Sequence, residues 1–146
     1  MIARIALSLL ACTILAAAQP ASSKTKPMKE EKGRCQAAVP SEATVILPYM
    51  AQGPNKSYSV ILDYDSDGFK VLTDADLKEY HYSKAYENSS TRQILEKDSH
   101  ATTAGYRTIH VYLPLAKGQC HAGITFKTGV AESPMLGIAK SVALIK

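Results

Sequence analysis

Two histidines with nearby tyrosines are the side chains of this sequence best suited to do chemistry. His110 and His121 lie in two segments that alternate apolar and polar residues, and the polar positions of the first segment also carry Tyr106 and Tyr112. Such alternation is typical of half-buried β-strands. Two imidazoles that meet across a hairpin can share a transition metal or act as a pH-sensitive contact. Two ligands alone make a poor zinc site, however.

Residues 105–128 are predicted to form a β-hairpin that brings those histidines together. Both apolar sets lie on one side when odd residues of the first strand oppose even residues of the second, and Val111 opposite Cys120 is the natural choice. His110 then lies directly across from His121 on the other face. The simpler interpretation of the pair is two solvated residues on the outer face of a sheet.

A second candidate site begins at Asp63. Together with Asp65, Asp67 and Gly68 it matches the first half of a calcium-binding loop, in which alternating carboxylates reach a hard cation. The second half departs from that pattern, because Lys70 occupies an aliphatic position and the final bidentate glutamate is missing. Whether these aspartates bind calcium is left open by the sequence.

The same stretch also predicts a β-hairpin. Asp67-Gly68 is a dipeptide favoured in a type I′ turn, and it lies between two segments rich in β-forming residues. In that arrangement Asp65 faces Lys70 as a cross-strand ion pair.

The remaining elements follow from local signals. A strand is predicted over 44–47, and Thr73 with Asp76 three residues later favours a capped helix. A short helix over 91–97 would bury Ile94 and Leu95. Residues 134–146 have the spacing of a helix that starts after Ser133-Pro134, with an edge strand at the end as the alternative.

The first 34 residues differ in composition from the rest of the chain. Residues 1–18 combine a positive start, an apolar segment and the small residues of a cleavage site, as in a secretory signal peptide. Residues 19–34 carry five basic and two acidic residues, and they predict a flexible basic arm. Residues 35–146 are long enough for one globular domain. We therefore expect a secreted or periplasmic protein with no stable membrane span after signal cleavage.

The cysteines support the same compartment. Removal of the signal peptide takes Cys12 away and leaves Cys35 and Cys120. An even pair in an exported protein predicts one disulfide bond, which would contribute about 2–4 kcal/mol to the free energy of unfolding.

Charge and motifs exclude several function classes. From residue 35 onward, eleven basic residues balance eleven acidic ones, so the domain has no net basic charge to favour nucleic acid as a partner. The sequence contains no nucleophile-elbow, phosphate-loop or metalloprotease motif. We expect no cofactor, and a binding protein is favoured over an enzyme.

These observations predict one α+β domain. Its sheet would be mostly antiparallel with about five strands, followed by one or two helices after the first hairpin and a C-terminal helix. The expected function is a small exported binding protein of the inhibitor, immunity or envelope-accessory kind, which recognises a protein partner. Two alternatives remain: a small histidine-dependent hydrolase and a calcium-stabilised module. The predicted partner-binding residues are Tyr106, His110, Tyr112 and His121.

Overall fold

A computed structural model describes residues 24–97 and 104–146. The predicted signal peptide and His100 lie outside these residues. The strands are β1 (Thr25–Lys29), β2 (Cys35–Pro40), β3 (Thr44–Leu47), β4 (Met50–Gln52), β5 (Tyr58–Asp65), β6 (Tyr82–Asn88), β7 (Gln93–Lys97), β8 (Tyr106–Pro114), β9 (Gln119–Lys127) and β10 (Ala143–Leu144). The helices are α1 (Asp74–Glu79) and α2 (Glu132–Ser141). None of the helices in the described part is long and apolar enough to cross a membrane.

The strands form two sheets in which every neighbouring pair is antiparallel. The larger sheet has the order β3-β4-β5-β9-β8-β7-β6, and the smaller one has the order β1-β2-β10. The predicted α+β domain with a mostly antiparallel sheet is therefore confirmed. The strand count was too low, because the larger sheet alone has seven strands in the described residues rather than about five.

The core lies between one face of the larger sheet and a cover made of the smaller sheet and α2. Val60, Ile109 and Ile124 point into it from the larger sheet, and Met135 packs there from α2. The predicted disulfide between Cys35 and Cys120 is confirmed, and it joins β2 to β9 with the two Cα atoms 6.5 Å apart. We call this the inner face of the larger sheet and the opposite side its outer face.

A charge cluster fastens α2 to the inner face. Arg107 on β8 donates to both carboxylate oxygens of Glu96 on β7, at 2.6 and 2.9 Å, and also to Glu132 at the start of α2. Tyr86 donates a further hydrogen bond of 2.6 Å to Glu96. Burial alone raises the pKa of the Glu96 carboxyl, but the hydrogen bonds from Arg107 and Tyr86 outweigh it, so that pKa lies below its usual value.

The predicted hairpin around Asp67-Gly68 is wrong. β5 pairs with β4 on one side and with β9 on the other, so neither of its edges is available to a following strand. Neither Asp67 nor Gly68 has the positive φ that a type I′ turn requires. The Lys70–Asp65 pair is also absent, because Lys70 Nζ lies 3.1 Å from Asp76 Oδ1 instead.

The helix predicted over 91–97 is wrong as well, since Gln93–Lys97 is strand β7. Ile94 and Leu95 are both buried although they point to opposite faces of the sheet. A short apolar segment that is buried on both faces has no alternation to distinguish it from a helix.

The second half of the predicted flexible arm is ordered structure instead. Thr25–Lys29 form β1, which pairs with β2, and Met28 is buried in the core. Directly after β1, the Glu30 carboxylate accepts hydrogen bonds from the backbone N–H groups of Lys32 and Arg34. It also forms an ion pair with the Arg34 side chain. That side-chain hydrogen bond holds the pKa of Glu30 down at about 2.

The structure tests the predicted starts of both helices and the alternatives for the C-terminus. The capping box is confirmed, because the Thr73 side chain accepts from the Asp76 backbone and Asp76 returns a bond to the Thr73 backbone. The C-terminal helix starts at Glu132, ahead of the predicted Ser133 cap, and has Ala131 as its N-cap. Both alternatives for the C-terminus occur in succession, since Ala143–Leu144 pairs with β2 as an edge strand.

Candidate functional site

The two histidines meet on the outer face, in a different register from the predicted one. Val111 opposes Ala122 and His110 opposes Gly123, so the hairpin is shifted by two residues from the Val111–Cys120 pairing. A shift of two keeps every side chain on its predicted face. His110 is therefore a diagonal neighbour of His121, and their Nδ1 and Nε2 atoms are 2.9 Å apart.

Asp63 on β5 extends this contact into a chain of three polar side chains. It opposes His121 in the register, and its Oδ1 lies 2.8 Å from His121 Nδ1. An ionised carboxylate only accepts hydrogen bonds, so His121 donates from Nδ1 and accepts at Nε2 from His110. We call Asp63, His121 and His110 the histidine chain. One tautomer of each ring satisfies all of its hydrogen bonds.

Burial controls the protonation of His110, which is the end of the histidine chain opposite Asp63. Burial first, then repulsion from His121 when that ring is protonated and from Lys97, lowers the pKa of His110 to about 4, while Asp63 partly opposes this. His110 is therefore a neutral donor at pH 7. The Asp63 side chain at the other end is 55% exposed.

Tyrosines cover the chain on one side. The Tyr112 ring stacks on His121 with centroids 4.8 Å apart, and its hydroxyl lies 3.1 Å from that of Tyr82 on β6. Burial raises the pKa of Tyr112 above its usual value. Lys97 Nζ lies 4.4 Å from the centre of the Tyr82 ring and donates to the Tyr80 carbonyl.

The structure brings three of the four predicted partner-binding residues together. Tyr106 shares the outer face with His110, Tyr112 and His121, but it pairs with Lys127 at the far end of the hairpin. Four residues of strand separate it from His110, which corresponds to roughly 13 Å. Tyr106 instead lines a small cavity with Tyr58 and Gln52.

Sequence reasoning missed Asp63 and Tyr82 as members of this site. In the sequence Asp63 belongs to the calcium-loop pattern, and no motif singles out Tyr82. Their positions depend on β5 pairing with β9 and on β6 joining the edge of the sheet, which no local pattern indicates. His81, by contrast, is an exposed residue with φ of 60° just before β6.

The aspartates of the calcium pattern do not converge. Asp63 turns to His121, whereas Asp65 accepts from the backbone of Asp67 and from Gln119 at 2.9 Å. Across residues 24–97 and 104–146, no group of three or more acidic, histidine or cysteine side chains is arranged to hold a metal ion.

A groove adjoins the histidine chain at the end of the outer face. The segment 66–72, which we call the crossing segment, leaves β5 and reaches β6 and β7, where the Lys70 carbonyl accepts from Gln93 and Leu72 bonds to Asn88. Between it and the sheet lies a cavity of ≈ 250 Å³. It is lined by Asp65, Asp67, Gly68, Lys70, Leu72, Tyr80, Tyr82, Gln93, Tyr112 and Gln119.

Comparison with known proteins identifies a similar fold and no family. No protein-family model matches the chain, and no curated protein matches it. Among solved structures, the Saccharomyces cerevisiae Ran-binding protein Mog1p has a similar fold, with a TM-score of 0.53 and 8% sequence identity. The alignment covers 86% of this chain and 97% of that one. At this identity the likeness concerns the fold alone.

Proposed function

We propose that this chain is a small exported, non-enzymatic binding protein that recognises a protein partner through the part of the outer face of its larger sheet that carries Tyr112 and His121. The kinds of protein that fit are inhibitors, immunity proteins and envelope accessories. The observation that carries the proposal is the partly buried aromatic cluster of Tyr112, His121 and His110. Aromatic side chains on an otherwise polar surface are typical of interface anchors.

Order in the free protein supports a role in binding. The Tyr112 ring is stacked on His121, and its hydroxyl contacts Tyr82, so little side-chain freedom remains to be lost on association. Preorganised side chains lose less conformational entropy when a partner binds. The structural neighbour Mog1p is by name a Ran-binding protein, which is consistent with a binding role for this type of fold.

The histidine chain is the observation that favours the alternative of a histidine-dependent hydrolase. A carboxylate that orients the Nδ1–H of a histidine is also found in catalytic triads, where Nε2 faces the nucleophile. Here His110 Nδ1 lies 2.9 Å from that Nε2 and occupies the nucleophile's place. Because His110 occupies that position, binding is favoured over catalysis.

The test is capture with the mature chain, residues 19–146, from the extracytoplasmic fraction of its source. We expect one stoichiometric protein partner. Tyr112→Ala and His121→Ala should each weaken its binding about tenfold or more, because anchors of this kind contribute about 1.4 kcal/mol or more each. Thermal melting verifies that the variants are folded.

Thr125→Ala is the matched control, since Thr125 lies on the outer face of β9 and hydrogen-bonds Thr108 away from the cluster. Its affinity should equal that of the unmodified chain. Equal affinity of all three variants would exclude the cluster as the interface. Turnover of ester or peptide substrates that is lost in His121→Ala would favour the hydrolase instead.

A further inference from the structure

The groove beside the histidine chain is rich in hydrogen-bond acceptors. Gln93 and Gln119 line it while being only 3% and 8% exposed. Each uses its amide nitrogen internally: Gln93 Nε2 donates to Lys70 and Asn88, and Gln119 Nε2 donates to Asp65. In the described part of the chain, neither Oε1 atom accepts a hydrogen bond. Both oxygens are therefore available to a donor that arrives with a ligand.

Carboxylates add negative charge to the same groove. The backbone N–H of Asp67 and the Gln119 amide hold the pKa of Asp65 below its usual value, so Asp65 is ionised. Each oxygen of Asp65 accepts one of these bonds, and a carboxylate can accept about four in all. The exposed Asp67 side chain forms no hydrogen bond with the described residues and is free to accept.

Lys70 is the basic residue among the lining side chains, and it is already engaged. Its Nζ lies 3.1 Å from Asp76 Oδ1, and its ammonium is 5.9 Å from the centre of the Tyr80 ring. The lining therefore carries two carboxylates, those of Asp65 and Asp67, against this one lysine. The groove therefore has a negative charge to offer a ligand.

Tyrosine rings complete the lining. Tyr80, Tyr82 and Tyr112 all border the cavity. Lys97 already lies over the Tyr82 ring and Tyr112 stacks on His121, so Tyr80, which is 41% exposed, is the most accessible of the three rings. Aromatic faces attract cations, and a planar guanidinium also stacks on them. Acceptors, negative charge and aromatic rings together match a planar group with many donors and no acceptor, which describes the side chain of arginine.

We propose that this groove binds an arginine side chain of the protein partner. The inference rests on the proposed function, because it identifies one anchor that the partner would insert next to Tyr112. The cavity of ≈ 250 Å³ lies below the range of about 300–1,000 Å³ typical of sites for drug-sized ligands, so it fits one side chain rather than a larger molecule.

Binding of a small probe to the full chain tests the chemistry directly. In NMR titrations, N-acetyl-L-arginine methylamide should shift the side-chain amide signals of Gln93 and Gln119 in a saturable manner. The citrulline analogue has nearly the same shape without the charge and should bind at least fivefold more weakly. The lysine analogue should also bind more weakly, because an ammonium cannot reach several acceptors in one plane.

Asp67→Asn is the decisive variant, because it removes one charge and no hydrogen bond made by that side chain. We expect it to weaken the arginine probe about fivefold, as for a charge pair at a protein surface. Asp74→Asn is its matched control, since Asp74 lies at the start of α1 and outside the groove lining. The control should change the affinity less than twofold.

Three outcomes would overturn the inference. The first is equal affinity for the arginine and citrulline probes, and the second is an equal loss of affinity in Asp67→Asn and Asp74→Asn. The third is that the side-chain amide signals of Gln93 and Gln119 do not shift up to the highest soluble probe concentration. If Asp67→Asn also fails to weaken a captured partner while Tyr112→Ala does, the proposed interface stands and the arginine anchor is wrong. If the arginine probe binds as expected but no partner is captured, the groove stands and the proposed function fails.

Discussion

The charge cluster on the inner face and the histidine chain with its groove on the outer face are both built on β8, and they use polar residues in opposite ways. Around Arg107, each carboxylate of Glu96 and Glu132 has a guanidinium partner, and the cluster connects β7, β8 and α2. On the outer face, the amide oxygens of Gln93 and Gln119 remain without partners among the described residues.

The comparison separates polar groups that stabilise a fold from polar groups kept for a ligand. The charges of the inner cluster are paired with one another, and the cluster fixes the position of α2. The outer face retains acceptors next to ordered aromatic rings, and these groups are available to a partner. The proposed contacts with a partner therefore lie on the outer face.

The largest effect is expected from breaking the inner cluster. Arg107→Met should lower the free energy of unfolding by about 3 kcal/mol, because it leaves the buried Glu96 carboxylate without its cation. Denaturant titration measures the loss. The affinity for the arginine probe should be unchanged, since the cluster lies on the other face.

Lys84→Met is the matched control for that variant. Lys84 Nζ lies 3.6 Å from Glu132 Oε1, but the lysine side chain is 54% exposed, so its pair contributes less than about 1 kcal/mol. If both variants lose the same stability, Arg107 is no more important than a surface charge and the contrast between the two faces is broken.

The outer face should respond to mild acid, whereas the inner cluster should not. Burial first, and then the charges of His121 and Lys97, lower the pKa of His110 from 6.5 to about 4, while Asp63 partly opposes this. The unfolded chain therefore takes up the proton first, and stability is complete above pH 6.5 and falls as the pH drops towards 4. The expected loss is about 2–3 kcal/mol.

Denaturant titrations between pH 7 and 4.5 isolate this effect, because the lowered carboxyl pKa values of Glu96 and Glu30 act only below that window. The groups that face His110 are His121, Asp63, Lys97, Tyr82 and Tyr112. His110→Phe should flatten the pH dependence. His81→Asn, which changes an exposed histidine and tolerates its positive φ, should retain it. A flat profile in the unmodified chain would contradict the prediction.

The smallest effect is expected at the exposed end of the histidine chain. Asp63→Ala should change the free energy of unfolding by less than about 1 kcal/mol, because its side chain is 55% exposed. It should nevertheless abolish the preference of His121 for a proton on Nδ1, which two-bond proton–nitrogen NMR couplings detect. Asp63→Asn retains an acceptor oxygen and should preserve the tautomer. An unchanged tautomer in Asp63→Ala would show that Asp63 does not orient the ring.

Several features could be predicted from sequence because their causes are local. The alternation in β8 and β9 placed His110, Tyr112 and His121 on one face, and the capping box at Thr73 identified the start of α1. Parity and the expected export of the chain were enough to pair Cys35 with Cys120. The first two signals depend on residues close together in the chain. The third depends on there being two cysteines after signal cleavage, which allow one pairing.

Other features failed where two arrangements share the same local pattern. A hairpin register shifted by two residues keeps all faces unchanged, so alternation could not choose between Val111 opposite Cys120 and Val111 opposite Ala122. The dipeptide Asp67-Gly68 favours a turn, yet pairing of β5 with β9 across more than fifty residues prevailed. That pairing buries Val60 and Leu62 on the core side, which a local hairpin standing alone would not achieve.

By itself the sequence determined which side chains of β8 and β9 share a face and that Thr73 caps α1, since a period of two residues is a property of the extended backbone and a capping box is a local contact. Only the tertiary structure decided which strands are neighbours, and therefore that Asp63 meets His121 and that the crossing segment forms a groove over Gln93 and Gln119. Strand partners are chosen by the total apolar surface that the whole sheet buries against its cover. This total buried apolar surface cannot be calculated from any short stretch of the chain.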